Sequence, residues 1–439
     1  MKWRKMTGLL MTGSIAAGML FGCGGKDEGN TTDTKGEEVQ ESTAKDEKEP
    51  VTLRILLAAG SGTGMDEIID EALAENYPEI QVEWEMINWN DLNTKMQTYI
   101  QSGLPDIIVG KATDAVTYGK MGILGDLAGK PYLDNVNEVG TESVTVDGKV
   151  YGLAFDAMYQ GIIYNRKVFE ENHVEIPTTY EELDAAIQTF KDAGITPFAT
   201  HFVDTWSIGN LAMQFAMGDV FSKDPLWGDK FRSGEVSFVD SPEYRQAYEN
   251  IKKIYDNTWQ DETFSIEETA SDAKFIEGEA AMKAPGFCPT DTLYTLDENF
   301  DYGLFPYPNA TGDAKLLFQA DTTFMKNENS DEAVNEAVDK VFTLLTENKE
   351  MVGEICDITM KAPMIKDVET TYPDPSRNDI EKYADANEIV NVDIGNNQLQ
   401  WGGFQDENAR LSLSGCRVTS QLTRHSRLQM TEKITVCNR

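Results

Sequence analysis

Flat aromatic side chains stand next to polar residues or glycine at several points of this 439-residue chain. An aromatic ring can pack on an apolar C–H face while a neighbouring polar group hydrogen-bonds hydroxyl groups. A ligand that offers both surfaces is a sugar, so we treat these residues as candidate ligand contacts. Together with a carboxylate that follows a short apolar run, the candidates are Trp89, Asn90, Asp114, His201, Trp206 and Phe287.

Other chemistry is compatible with some of these residue types. A glycoside hydrolase needs two carboxylates flanking the scissile bond, and 75 acidic side chains leave that alternative open. The histidines His173, His201 and His425 are scattered, and we find no Ser–His–Asp or Cys–His pattern and no metal-ligand spacing. These patterns predict neither a metal site nor a cofactor, and they leave a hydrolase open.

A glycine-rich loop raises the alternative of phosphate or dinucleotide binding. Residues 60–64 read GSGTG directly after an apolar strand pattern. The dinucleotide fingerprint requires GxGxxG, and this loop has GxGxG instead. Nucleotide binding is thus the less favoured interpretation.

Alternating strands and helices must position the candidates near the start of the body. Apolar runs alternate with helical patterns, and this predicts an α/β fold with parallel strands, whose ligands gather at the carboxyl ends of the strands. Trp89 and the segment Lys111–Asp114 each follow such a strand, so we expect them on one rim. The predicted elements are strand 51–58, helix 65–76, strand 80–86, helix 92–101 and strand 106–110.

Two local signals are specific further along the chain. Asp147-Gly148 lies between two alternating runs and predicts a hairpin. Thr179 and Glu182 form a capping box that begins a helix, and Gly194 ends it.

Size and charge restrict the class of protein. The residues after position 50 exceed what one hydrophobic core usually serves, which predicts two lobes. The net charge of −37 repels phosphate backbones, and no basic cluster with interleaved aromatics offsets it. Nucleic acid is therefore excluded as an expected partner.

The N-terminus carries an export signal. Three basic residues precede an apolar run that ends LFGC at Cys23, which resembles a bacterial lipobox with Cys23 as the lipidated residue. We expect residues 1–22 to be a signal peptide and 23–50 a lipid-anchored flexible linker, because that segment is charged and lacks aromatics. The protein would then sit on the extracellular face of the cytoplasmic membrane. An ordinary signal peptide with an incidental cysteine is the alternative.

The C-terminus departs from the rest of the chain. Residues 411–439 contain five basic residues and one acidic residue, against an acidic body, and show no helical periodicity. We expect an anomalous basic tail, explained either by a frameshift or by a natural basic extension. A disulfide between Cys288 and Cys356 is a pairing that the sequence leaves open.

An ordered set of motifs resembles family 1 extracellular solute-binding proteins of ABC importers. The resemblance covers about residues 51–410. The motifs are DGKVYG at 147–152, YNRKVFE at 164–170, IPTTYEEL at 176–183, AGITP at 193–197, FIEGEAAM at 275–282, GLFPYP at 303–308 and NSDEA at 329–333.

The resemblance implies a two-lobed periplasmic-binding-protein-like α/β fold whose strand crossovers form a hinge. Lobe 1 would hold residues 51–154 with 301–326, and lobe 2 would hold 155–300 with 327–410. Asp156 and Asp321 would lie at the crossovers, and Trp401 would join the ligand contacts.

The function that the resemblance implies is binding rather than catalysis: a monomer captures a mono- or oligosaccharide and delivers it unchanged to ABC permease subunits. A surface-anchored glycoside hydrolase and a sensory carbohydrate-binding lipoprotein stay open as alternatives.

Overall fold

The computed structural model describes residues 50–58, 64–203, 205–217, 220, 223–224, 227–237, 241–328 and 331–392. The predicted signal peptide, Cys23, the basic tail and Trp401 lie outside these residues, as do the linker apart from Pro50 and the glycine loop apart from Gly64.

Strands and helices alternate along much of this range. The strands are β1 (Val51–Ala58), β2 (Ile80–Ile87), β3 (Ile107–Gly110), β4 (Thr145–Val146), β5 (Lys149–Val150), β6 (Leu153–Ala154), β7 (Asp156–Asn165), β8 (Thr196–Ala199), β9 (Ala280–Cys288), β10 (Tyr302–Phe305), β11 (Leu316–Ala320), β12 (Thr323–Lys326), β13 (Ala362–Pro363) and β14 (Ile389–Asn391). The helices are α1 (Met65–Asn76), α2 (Leu92–Ser102), α3 (Ala112–Lys120), α4 (Glu138–Ser143), α5 (Arg166–Glu171), α6 (Tyr180–Asp192), α7 (Thr205–Ala216), α8 (Trp227–Ser233), α9 (Pro242–Asp256), α10 (Glu268–Ile276), α11 (Asp291–Leu296), α12 (Glu332–Glu347), α13 (Lys349–Thr359) and α14 (Arg377–Asp385).

The first sheet contains five strands in the order β2-β1-β3-β12-β6. β1 is parallel to β2 and β3, and β12 is antiparallel to β3. All four residues of β3 are buried, as expected for a strand covered on both faces. The predicted alternation of strands and helices from residue 51 to 110 is confirmed.

The second sheet is built around β7. Its path is β14-β11-β7-β9-β8, and β10 and β13 also pair with β7. Nine of the ten residues of β7 are buried, which allows it to serve as the central strand. The capping box at Thr179 and Glu182 begins α6, and the Asp147-Gly148 turn joins β4 and β5, so both local predictions are confirmed.

The chain crosses between the two sheets at short segments that lie side by side. Phe155 separates β6 from β7, and residues 321–322 separate β11 from β12. The backbone N–H of Phe155 donates to the carbonyl of Thr322 at 2.8 Å, and the N–H of Met364 donates to the carbonyl of Phe155 at 2.9 Å. The predicted two-lobed α/β fold with strand crossovers is therefore confirmed.

The segments 301–326 and 327–392 are distributed between the two sheets differently from the predicted lobe assignment. Strands β10 and β11, within the range 301–326 assigned to lobe 1, pair with β7 of the second sheet. Helices α12 and α13, within the range 327–410 assigned to lobe 2, pack on the core of the first sheet. The reason is packing: both flanks of β7 accept strands, and buried residues such as Phe342 complete the first core, where its ring lies 5.6 Å from that of Tyr132.

Cys288 and Cys356 are both buried free thiols, so the disulfide between them is not formed. Within the described residues, no helix combines the length and apolar character needed to cross a bilayer.

Candidate functional site

Two buried carboxylates lie side by side where the chain passes between the sheets. Asp156 begins β7, and Asp321 follows β11. The backbone N–H of Asp321 donates to the carbonyl of Asp156 at 2.9 Å, and Asp156 Oδ1 accepts from the backbone N–H of Thr322 at 2.8 Å. Asp156 Oδ2 is buried without a hydrogen-bond partner. The crossovers thus bring together the two acidic residues that the resemblance had assigned there.

Two lysines supply the opposite charge. Lys111 Nζ donates to the Asp321 carboxylate, and Lys361 Nζ lies 3.1 Å from Asp321 Oδ2. Burial opposes the charge of Asp321, but the two ammonium groups hold the pKa of this carboxyl well below its ordinary value. Burial and the neighbouring Asp321 charge raise the pKa of Asp156 to about 6. One carboxyl therefore stays ionised, whereas the other takes up a proton in mild acid.

Trp89 packs against the same cluster. It begins the 3-10 turn Trp89–Asp91 after β2, and Lys111 Nζ lies 4.3 Å from the centroid of its ring. Asn90 is the next residue of this turn, and its side chain lies outside the described part of the chain. The half-buried ring of Trp89 and the carboxylate of Asp321 therefore contact one ammonium group.

Asp114 acts as a helix cap. Its Oδ2 accepts from the backbone N–H of Lys111 at 2.9 Å at the start of α3. Burial raises the pKa of this carboxyl. The carboxylate of Asp114 thus fixes the backbone of Lys111, and its contact with a ligand stays a prediction.

His201, Trp206 and Phe287 form a second group on the second sheet. The ring centroids of His201 and Trp206 are 5.3 Å apart, and those of Trp206 and Phe287 are 6.1 Å apart. Phe287 pairs directly with Gln160 of β7, and Gln160 lies on the same face of that strand as Asp156, four residues away. The aromatic group and the carboxylate pair therefore share one face of this sheet, roughly 13 Å apart along β7.

A buried charged network lies beside His201. Its Nε2 is 4.0 Å from Glu268 Oε2, and Lys283 Nζ contacts both Glu268, at 3.1 Å, and Asp272. Burial opposes the charge of Glu268, but the charges of Lys283 and His201 hold its pKa below the ordinary value. Asp156, Asp321, Lys111 and Lys361 form the crossover cluster. The charge of Asp291 acts on both Asp272 of this network and Lys361 of the crossover cluster, so the two groups lie within electrostatic range of each other.

Gly286, next to Phe287, has a role that the sequence did not indicate. Glycine beside an aromatic ring predicts a point where a ligand can approach the backbone closely. A Cβ built on Gly286 would lie 2.5 Å from the carbonyl oxygen of Gly161, so the glycine allows β9 and β7 to approach each other.

A cavity of about 520 Å³ lies elsewhere on the first sheet. Lys130 and Lys326 both contact Asp339 in its wall, and none of the candidate contacts lines it. Lys326 pairs with Ile107 at the start of β3, whereas Lys111 follows the end of that strand. The cavity therefore lies at the opposite end of β3 from the crossover cluster.

Sequence reasoning missed Lys361, which follows α13 in an irregular segment that no pattern marks. Trp401 and Cys23 lie outside the described residues. Among the residues that are described, no group of three or more His, Cys, Asp or Glu side chains is arranged to hold a metal ion.

Comparison with protein families gives a match over most of the described range. Residues 67–384 match the model of the family described as bacterial extracellular solute-binding protein. This span is more than half of the 439 residues.

Individual relatives and solved structures are more distant. The chain is 24% identical over 346 residues to the multiple sugar-binding protein of Streptococcus mutans, covering 74% of this chain and 77% of that protein. Apo RafE from Streptococcus pneumoniae superposes with a TM-score of 0.69 at 19% identity, covering 89% of this chain and 97% of that one. A sugar transporter from Bacillus licheniformis in complex with stachyose gives a TM-score of 0.68 at 16% identity, covering 88% and 98%. At these identities the solved structures show a common fold.

Proposed function

We propose, since the chain belongs to the family of bacterial extracellular solute-binding proteins, that its solute is a mono- or oligosaccharide, delivered unchanged to the permease subunits of an ABC importer. The family consists of binding proteins rather than enzymes, so a glycoside hydrolase is not favoured. The observation that carries the proposal is the family match over residues 67–384, and the named sugar-binding relative supports the class of solute.

The geometry supports a sugar as the solute. Aromatic rings come from Trp89, in the turn after β2 of the first sheet, and from Trp206 and Phe287, which pack together beside the second sheet. Asp321 and Asp156 supply hydrogen-bond acceptors at the crossovers. A ligand that touches both sheets stabilises the closed arrangement of the lobes relative to the open one. The protein would act as a monomer, because ligand transfer requires only one such clamp.

The lipid anchor is part of the proposal. Cys23 would carry acyl chains that hold the protein on the outer face of the cytoplasmic membrane, each buried methylene contributing about 0.8 kcal/mol. Cys23→Ala is expected to move the protein from the membrane fraction to the culture medium, measured by immunoblotting of both fractions. Cys288→Ala is the control, because that thiol is buried in the folded body. Retention of the Cys23→Ala protein in the membrane fraction would contradict the anchor.

Trp89→Ala tests the sugar site. A panel of glucose, maltose, raffinose and stachyose is screened by thermal shift, because a ligand that binds only the native state raises the midpoint of unfolding. For a sugar that binds, Trp89→Ala is expected to weaken affinity by about tenfold or more through loss of the stacking surface, as measured by calorimetry.

Trp84→Ala is the matched control for this measurement. Trp84 lies on β2, the strand that precedes Trp89, and its indole N–H donates to Asp70 of α1 at 2.9 Å. Equal affinities of the two variants would remove Trp89 from the site. If no sugar of the panel binds the wild type and another class of solute does, the proposed ligand class is wrong.

A further inference from the structure

The ammonium group of Lys111 occupies two positions that a sugar would use. It lies 4.3 Å from the centroid of the Trp89 ring, where a cation is attracted by the aromatic face. It also donates to Asp321, the acceptor that a sugar hydroxyl would need at this point. The stacking surface and the acceptor are therefore both covered by the protein's own side chain.

We propose that Lys111 is an internal surrogate for the ligand, and that a sugar ring which stacks on Trp89 must first displace its ammonium group from Trp89 and Asp321. The inference rests on the proposed function. Lys111 then determines affinity at this subsite and selects ligands that can replace its hydrogen bond to Asp321.

The surroundings allow the side chain of Lys111 to move while its backbone stays in place. Its backbone N–H is held by Asp114 Oδ2 at 2.9 Å, which anchors the start of α3. The remainder of the residue is a flexible four-carbon stem that retains 13% of its exposed surface. Displacement therefore requires rotation about side-chain bonds rather than a change of the helix.

Lys361 keeps Asp321 partly neutralised when Lys111 is displaced. It lies 3.1 Å from Asp321 Oδ2, on the opposite oxygen from the one that Lys111 contacts. When the ammonium group of Lys111 leaves, Asp321 keeps one counter-charge, and a sugar hydroxyl takes the vacated acceptor.

The same arrangement selects the charge of the ligand. A neutral sugar brings hydroxyl donors to Asp321, whereas a uronic acid brings a carboxylate towards Asp321 and the neighbouring Asp156. We therefore expect the group bound at Trp89 to be a neutral saccharide unit.

Lys111→Met tests the inference, because methionine keeps an apolar stem and removes the ammonium group. With glucose, maltose, raffinose and stachyose as probes, this variant is expected to bind a neutral sugar about tenfold more tightly than the wild type, since the competing cation–aromatic contact is gone. Lys111→Arg retains the cation and is expected to restore affinity towards the wild-type value. Isothermal titration calorimetry measures the sugar affinity of the wild type and of both variants.

Lys340→Met is the matched control. Lys340 also pairs with a carboxylate, Glu79 at 2.8 Å, and lies over an aromatic ring, Tyr77 at 5.6 Å. Both partners precede the start of β2, whereas Lys111 follows the end of the parallel strand β3, so Lys340 lies at the opposite end of these strands. The Lys340→Met protein is expected to bind the same sugars with the affinity of the wild type. If Lys111→Met does not fold, as judged by circular dichroism, Lys111→Gln serves in its place with the same expected direction.

The outcomes separate the two proposals. Tighter binding by the neutral variant and wild-type binding by the control support the surrogate role. Sugar binding by the wild type with equal or weaker binding by the neutral variant overturns the surrogate role and leaves the proposed function standing. Absence of binding to every sugar by all of the proteins overturns the proposed function and the surrogate role with it.

Discussion

Asp321→Asn is expected to lower the free energy of unfolding by about 3 kcal/mol, because it removes the buried carboxylate that two partly buried ammonium groups share as their counter-charge. Lys111 and Lys361 both contact this carboxylate, and its side chain is only 5% exposed. Urea denaturation at neutral pH measures the loss. Asp301→Asn is the control, since Asp301 pairs with Arg166 at 3.1 Å but is 68% exposed, and surface pairs contribute about 1 kcal/mol or less.

The same variant changes the titration of Asp156. The charge of Asp321 is one cause of the raised pKa of Asp156, after burial, and Lys361 opposes it. Removal of that charge is therefore expected to lower the pKa of Asp156 from about 6 towards its ordinary value, as followed by NMR titration of the carboxyl carbon. A stability loss no larger than that of Asp301→Asn, with an unchanged Asp156 titration, would contradict the cluster.

The signs of the two linkages are opposite. The lowered pKa of Asp321 contributes stability that is present above its unfolded pKa and is lost as the pH falls below it. The raised pKa of Asp156 contributes stability at acidic pH that is lost as the pH rises towards about 6.

Gly286→Ala is expected to cost about 3 kcal/mol of the free energy of unfolding, because the new methyl group overlaps a backbone atom that cannot move alone. The added Cβ would lie 2.5 Å from the carbonyl oxygen of Gly161, on the neighbouring strand. Relief requires β7 and β9 to separate at the point where they pair. Thermal and urea denaturation measure the loss of stability. Because Phe287 is next to the substituted residue, calorimetry with a bound sugar measures any change in affinity.

Gly125→Ala is the control for this substitution. A Cβ at Gly125 meets its nearest neighbour, Glu328 Oε2, at 3.5 Å, which is ordinary contact. Its stability is expected to change by less than about 1 kcal/mol. If the two alanine variants have the same midpoint, the close approach of β7 and β9 is not what requires glycine at position 286.

Local structure of the first sheet was readable from the sequence. Strand 51–58 and helix 65–76 have the predicted bounds, because each has a clear periodicity and a terminating residue. The allocation of the late segments was not readable. β11 and β12 are separated by two residues yet belong to different sheets. Local propensity does not determine which strand each of them pairs with.

The candidate site was readable only in part. Trp89, Asp156 and Asp321 were predicted as ligand contacts from residue type, position after a strand or resemblance. The structure brings them together around Lys111, and their contact with a ligand stays a prediction. The sequence did not indicate that the carboxylate of Asp114 also caps the first turn of α3. Lys361 carries no local signal, since a lysine after a helix is ordinarily a solvated side chain.

The order of residues by itself determined the family, the alternation of strands and helices, the capping box and the expectation of two lobes, because these depend on periodicity and on neighbours within a few positions. Tertiary structure alone decided which charges meet. Lys111 and Asp321 are 210 positions apart, and their ion pair exists because β3 and the second crossover end at the same edge of the first sheet. Burial at that edge makes their charges strong partners, whereas in the unfolded chain water would screen both.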